Sequence, residues 1–401
     1  MENSSKKVIA LLSAVFMTWG VITSANAVLV PYFKDIFALN YQQSMLVQVA
    51  FYLAPFVACI PTSILMNSKG YKKTLLYSLM STVIGSILFY IMFSMHSYAG
   101  VLVAIFIIAV GIAAMQVVAN PYIIKLTPQI SSVKILTFTS SINSLGTVIA
   151  PVGIGVILAT MGLANIYLVM ALLIALLAFQ IHRTNIQDFT YAKNSSAFTP
   201  LKALRHHREF IIGAMAIFTY VGIEVAIGTL TISYLHDPEV GNISMAKATA
   251  MLSIYWACAM AGRFGYSIIA DKVNPTVSLM VSATVACGLL LFAIHSQSFI
   301  GGVALIAIGL CNSFIHPVIF ATSIKKLGSL TGLGAAILIM CNIGGGVVPL
   351  IQASVIDMTD IATSYYVPLI GYIVIACYTI SVRYFRNSPQ WLDTQANSIS
   401  S

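Results

Sequence analysis

Residues 99–125 read AGVLVAIFIIAVGIAAMQVVANPYIIK, without a charged side chain before Lys125. A helix needs about 20 such residues to cross the hydrocarbon core of a bilayer, so this run is long enough to span one. It also holds Gly111, Gln116, Asn120 and Pro121. Polar side chains are costly inside a membrane, so a run with this content predicts a spanning helix that turns one face toward a polar interior.

Eleven further runs of the same kind are present. Before it and after it in the first half lie roughly 8–31, 44–66, 73–95, 135–160 and 162–182; the second half holds roughly 210–235, 246–270, 276–296, 298–322, 329–354 and 363–384. Composition agrees: 59% of the 401 residues are hydrophobic and 8% charged, against about 25% charged in a soluble domain. The chain is too apolar to bury that surface in a water-soluble core. A β-barrel would show short alternating segments instead. The expected fold is an all-α membrane protein of twelve transmembrane helices, in two six-helix halves related by a pseudo-two-fold axis.

A net charge of +9 can signal a nucleic-acid partner, but the placement of charge points elsewhere. In the twelve-span arrangement Lys34 and Lys247 are the only two of the 20 Lys and Arg on one side, which also carries Asp35, Asp237, Glu239, Asp357 and Asp360. Lys6, Lys7, Lys69, Lys72, Lys73, Arg183, Lys202, Arg205, Arg208, Lys325, Lys326, Arg383 and Arg386 fall on the other. This is the positive-inside pattern, with both termini cytoplasmic, and the expected location is the bacterial inner membrane. Ala25-Asn26-Ala27 after Lys6-Lys7 mimics a signal-peptide cleavage site, but cleavage there would remove the first span and spoil the alternation. All six cysteines lie inside predicted spans, so no disulfide framework is expected.

The polar stretch 184–209 divides the chain into halves at 1–183 and 210–401. Their spans match in kind: Asn143, Gly146 and Pro151 in span five answer Asn342, Gly345 and Pro349 in span eleven, and Gly111 with Pro121 in span four answers Gly309 with Pro317 in span ten. Paired Gly- and Pro-interrupted helices in two halves point to the central site of a transporter.

Glu224, mid-way along span seven, is the outstanding ionisable group, able to bind a proton, a cation or a hydroxyl; the plainer role is a structural hydrogen bond. Gln116 and Asn120 share a helix face by their i, i+4 spacing. With Asn26, Asn143, Asn312 and Asn342 they offer amides that both donate and accept, as polyols require, although such groups also hold membrane helices together. Trp19, Tyr52, Tyr220, Tyr255 and Trp256 are able to stack on an apolar ring face or to anchor at the interface. His316 is a second titratable candidate. Arg263 and Asp271 bracket one end of span eight and suit a gating pair. No Gly-Lys-Ser/Thr phosphate loop, His/Cys metal cluster or nucleophile constellation stands out, so ATP-driven transport, a metal, a cofactor and enzymatic chemistry are not expected.

Trp19-Gly20 with Asn26, Gln48 ahead of AFYLAPFVACIPTSILMNSKGYKK, MQVVANPY, NSLGTVIAP, YVGIEV, YWACAMAGRF, the Asn312–Pro317 region and GGGVVPLIQ together resemble the fucose–galactose–glucose:proton symporter family of the major facilitator superfamily over nearly the whole chain. The resemblance implies alternating access with a monosaccharide site between the halves; the expected assembly is a monomer in the lipid bilayer. It implies contributions to that site from spans one, four, five and seven, and proton coupling through a carboxylate in span one; the candidate sugar contacts are Asn26, Gln48, Gln116, Asn120, Asn143, Glu224, Trp256 and Asn312. That acidic position, directly after Asn26, is Ala27 here, and Gln116 stands at a second one in span four. Asn67 and Ser68 likewise replace the Asp and Arg that the superfamily favours in the loop after span two. Coupling is therefore open between protons through Glu224 or His316, sodium, and none. Two other functions remain: a facilitator-type exporter of drugs or metabolites, and a transport-dead nutrient sensor.

Overall fold

The structure, a computed structural model, describes residues 2–127, 132–188, 204, 207–269, 272–325, 327 and 331–386. Its first six helices are α1 (Glu2–Ile36), α2 (Tyr41–Lys69), α3 (Tyr71–Ser94), α4 (Tyr98–Leu126), α5 (Ser132–Met161) and α6 (Leu163–Arg183). The second half holds α7 (Arg208–His236), α8 (Met245–Ile269), α9 (Pro275–Ser296), α10 (Phe299–Asn312), α11 (Ile315–Ile324), α12 (Thr331–Met340), α13 (Gly344–Met358), α14 (Ile361–Ser364) and α15 (Tyr366–Arg386). Spans ten, eleven and twelve are thus each built of two helical pieces: α10–α11, α12–α13 around a 3-10 turn at Cys341–Ile343, and α14–α15.

Among the described residues, eleven helical stretches are long and apolar enough to cross a membrane. The twelfth of the array, α8, matches its neighbours in length but carries Lys247, Arg263 and several hydroxyls. Large apolar side chains face outward: Ile64, Ile84, Leu172, Leu173 and Ile370 are all more than half exposed. A surface of that kind is stable against lipid and not against water. The linker expected over 184–209 lies mostly outside the described residues, as does Asp271.

Between helices the sequence provides small residues where backbones must meet. Gly146 of α5 packs on α1, where an added methyl would come within 2.6 Å of the Met17 carbonyl, and Gly20 of α1 faces the Asn143 backbone. The second half repeats the crossing: Gly344 of α13 lies on the Phe218 backbone of α7, and a methyl at Gly222 would meet Gly344 O at 2.9 Å. Spans one and five are therefore related to spans seven and eleven by position and by packing.

The halves touch along two seams, α2 against α13 and α5 against α8. On the face away from Lys69, Lys72 and Arg183, the Asp357 carboxylate of α13 accepts the Tyr41 and Gln42 N–H groups of α2, each at 2.8 Å. Tyr32 and Thr249 hydroxyls meet at 3.1 Å nearby. In the other direction a cavity of about 550 Å³ opens between the halves, lined by Ser140, Ser144, Arg263, Phe314 and Thr322 and reaching Pro275 at the basic end of α9. The described contacts between the halves on the acidic face and the cavity toward the basic one thus lie at opposite ends of the bundle.

Candidate functional site

Two polar clusters occupy the middle of the bundle. The first joins the halves. Asn26 Nδ2 of α1 donates to Gln48 Oε1 of α2 at 2.9 Å, and Gln48 Nε2 donates to Thr229 Oγ1 of α7 at 3.1 Å. All three residues are buried, yet Asn26 Oδ1 has no hydrogen-bond partner. Beside Thr229, Gly228 leaves room for Trp256, whose ring would touch a methyl at 3.5 Å. The Trp256 Nε1 donor is buried and unpartnered as well. A buried acceptor and a buried donor without partners are each costly.

The second cluster surrounds Glu224, one helical turn before Gly228. Its Oε1 lies 2.8 Å from the Tyr220 hydroxyl. Tyr52, Tyr255, Tyr372 and Arg263 are close enough to feel its charge, and Tyr52 reaches across the seam to rest on Gly345 of α13. Asn312 is held among tyrosines, with Nδ2 donating to Tyr255 at 2.9 Å and Oδ1 accepting from Tyr372 at 2.5 Å. His316 sits half-buried next to Tyr220, ring centroids 6.2 Å apart, within reach of Asn342.

Other expected site residues have hydrogen-bond partners of their own. Asn143 Nδ2 donates to Phe16 O of α1 at 2.9 Å, tying the close-packed α1–α5 crossing. Asn120 Nδ2 donates to Gln116 O of its own helix at 3.1 Å; both side chains are half-buried. Arg263 lies six residues before the last described residue of α8, Ile269. It reaches across the seam, with Nη1 donating to Ser144 Oγ of α5 at 3.1 Å and Nε to Ser313 O at 3.2 Å. Sequence reasoning missed Thr229, Ser144 and Tyr372. A lone Thr or Tyr in an apolar run carries no signal until its neighbours in space are known.

The sequence model described as Major Facilitator Superfamily matches residues 11–349. A glucose/galactose transporter of Brucella abortus is 34% identical over 392 residues, 94% of this chain and 95% of that protein. The L-fucose-proton symporter of Escherichia coli is 30% identical over 405 residues, 91% of each. A crystal structure of the Escherichia coli fucose:proton symporter superposes with a TM-score of 0.70 at 27% identity, covering 94% of this chain and 99% of that one.

Proposed function

This chain belongs to the Major Facilitator Superfamily, and on that premise we propose that it carries a monosaccharide, a hexose, across the bacterial inner membrane by alternating access. Relatives named as glucose/galactose transporters and fucose-proton symporters support the substrate class. The observation that carries the reading is the Asn26–Gln48–Thr229 chain bridging the halves, with Asn26 Oδ1 and the nearby Trp256 Nε1 left unpartnered. A pyranose offers what both lack: hydroxyls that donate and accept, and an apolar ring face for an indole.

The halves 1–183 and 210–401 rock about this centre, joined by the 184–209 linker. The positive-inside rule makes the basic face cytoplasmic, with both termini there. The structure, closed by Asp357 on the acidic face, then corresponds to the state that opens to the cytoplasm. Arg263, bonded to Ser144 of the opposite half, and Gln48, bonded to Thr229, are interior contacts that rocking of the halves would alter.

Coupling is assigned to protons through Glu224, because Ala27 leaves span one without a carboxylate and Glu224 is the one acidic residue in the chain that lies well inside a span. The protein needs no phosphate chemistry and acts as a transporter, not an enzyme.

Tryptophan fluorescence of the Trp19→Phe/Trp391→Phe protein, titrated with glucose, galactose and fucose, tests the site. A saturable change lost in Asn26→Ala supports it. No change with any of the three sugars would count against a hexose at Trp256.

A further inference from the structure

Pro317 has no N–H, so Ser313 O four residues earlier has no intrahelical donor, and α10 stops at Asn312 before α11 starts at Ile315. Three successive carbonyls at this break are each taken by a side chain from a different span. Ser282 of α9 donates to Cys311 O at 2.7 Å, Tyr220 of α7 to Asn312 O at 2.7 Å, and Arg263 Nε of α8 to Ser313 O at 3.2 Å.

One of these stitches depends on a proton. The Tyr220 hydroxyl lies 2.7 Å from Asn312 O and 2.8 Å from Glu224 Oε1, and it has a single hydrogen. A carbonyl only accepts, and so does an ionised carboxylate. Both contacts are hydrogen bonds at once only when Glu224 brings its own proton: Glu224 donates to Tyr220, and Tyr220 donates to Asn312 O. When Glu224 is ionised, the carboxylate is the stronger acceptor. The Tyr220 hydrogen turns to it, and the buried Asn312 carbonyl is left bare.

We propose that Tyr220 is a positioning residue that ties the proton occupancy of Glu224 to the bend of the tenth span. The purpose given to that proton rests on the transport reading above; the linkage itself is a property of the chain without substrate. In the step, the Glu224 O–H bond breaks and its proton passes to water. Tyr220 keeps its own hydrogen throughout and redirects it. The titratable and charged groups facing Glu224 are Tyr220 on its own helix, Tyr52 of α2, Tyr255 and Arg263 of α8, and Tyr372 of α15; His316 of α11 stands beyond Tyr220. Among the hydrogen bonds described, those of Tyr220 reach both the Glu224 carboxyl and a carbonyl of the break.

The test uses the full chain in lipid nanodiscs with no sugar. Spin labels at Ile300→Cys and Lys325→Cys, with the native cysteines replaced, report the bend by pulsed distance measurement against pH. Infrared difference spectra of the same samples report the protonated carboxyl. In the wild type the carboxyl signal and the distance populations should titrate together, with about a tenfold population change for one bare buried carbonyl. Glu224→Gln, whose amide N–H stands in for the carboxyl proton, should lose the signal and hold the low-pH distance at every pH. Tyr220→Phe should keep a titrating carboxyl while the distance no longer follows it. A Tyr220→Phe protein whose distance still follows pH, or a wild type without a Glu224 carboxyl signal at any pH, would overturn the proposal. Since no sugar is present, failure of the hexose reading leaves this outcome untouched, and the reverse also holds.

Discussion

Replacing Asp357 by alanine should open the acidic face of the protein. The first amides of a helix have no intrahelical acceptors. In α2, Asn40 serves only one of them, accepting from Gln43 N at 2.7 Å, while Gln43 Oε1 accepts from Asn40 N at 3.1 Å. The amides of Tyr41 and Gln42 are instead taken by Asp357 of the opposite half. One carboxylate thus caps a helix across the seam, with the helix dipole adding to the attraction. The contact is exposed, so water replaces it when the halves part, and the loss is that of an ordinary cap, about 1 kcal/mol. That corresponds to about a fivefold change in the ratio of closed to open molecules at this face. Asp357→Asn, which keeps an acceptor and loses the charge, should fall between. The assay is a pulsed distance measurement between labels at Met95→Cys and Ile300→Cys, exposed positions on that face in opposite halves. Growth of the long-distance population by about that factor is expected. An unchanged distribution in Asp357→Ala would mean that the cap contributes nothing to closure.

Gln48→Ala removes the middle of a buried chain and strands Asn26 and Thr229, so thermal unfolding should show a loss of about 1–3 kcal/mol together with loss of sugar binding. Gly20→Val drives a branched side chain into the Asn143 backbone; overpacking of this kind costs about 1–3 kcal/mol, to be read as a lower unfolding temperature in detergent. Asp360 caps α14 through the Thr363 hydroxyl and N–H, and the hydroxyl contact, more than the N–H, holds its carboxyl below the ordinary range. A depressed carboxylate stabilises above its unfolded value and loses that contribution as pH falls through the folded one. Amide exchange at Thr363 should therefore be faster in Asp360→Ala than in the wild type at neutral pH, and the difference should close in acid.

The spans were legible because lipid imposes a length and a composition on each one, and because Lys and Arg sort to one face. The matched Asn143–Pro151 and Asn342–Pro349 segments pointed to paired crossings, but the glycine that packs on α7 is Gly344, while Gly345, the residue matched to Gly146, meets the Tyr52 ring of the opposite half. Pro317 announced a disturbance in span ten but not where the freed carbonyls find donors, since Ser282, Tyr220 and Arg263 lie on three other spans. Glu224 stood out as a lone carboxylate in an apolar run, whereas Tyr220, one turn before it, looked like any membrane tyrosine. Asp357 counted only as a charge on the acidic face; its cap on α2 joins residues more than three hundred positions apart. Asn143 illustrates the converse, an amide whose expected sugar contact remains a proposal while its described bond is to Phe16 O.

Uptake of labelled glucose, galactose and fucose into proteoliposomes, with and without an inward proton gradient, would show whether this protein is a proton-coupled hexose carrier. At least one of these sugars should accumulate above equilibrium when the gradient is present, and the accumulation should vanish in Glu224→Gln. Equilibration without accumulation would contradict the assignment of coupling to Glu224, and no uptake of any of the three would contradict hexose transport itself.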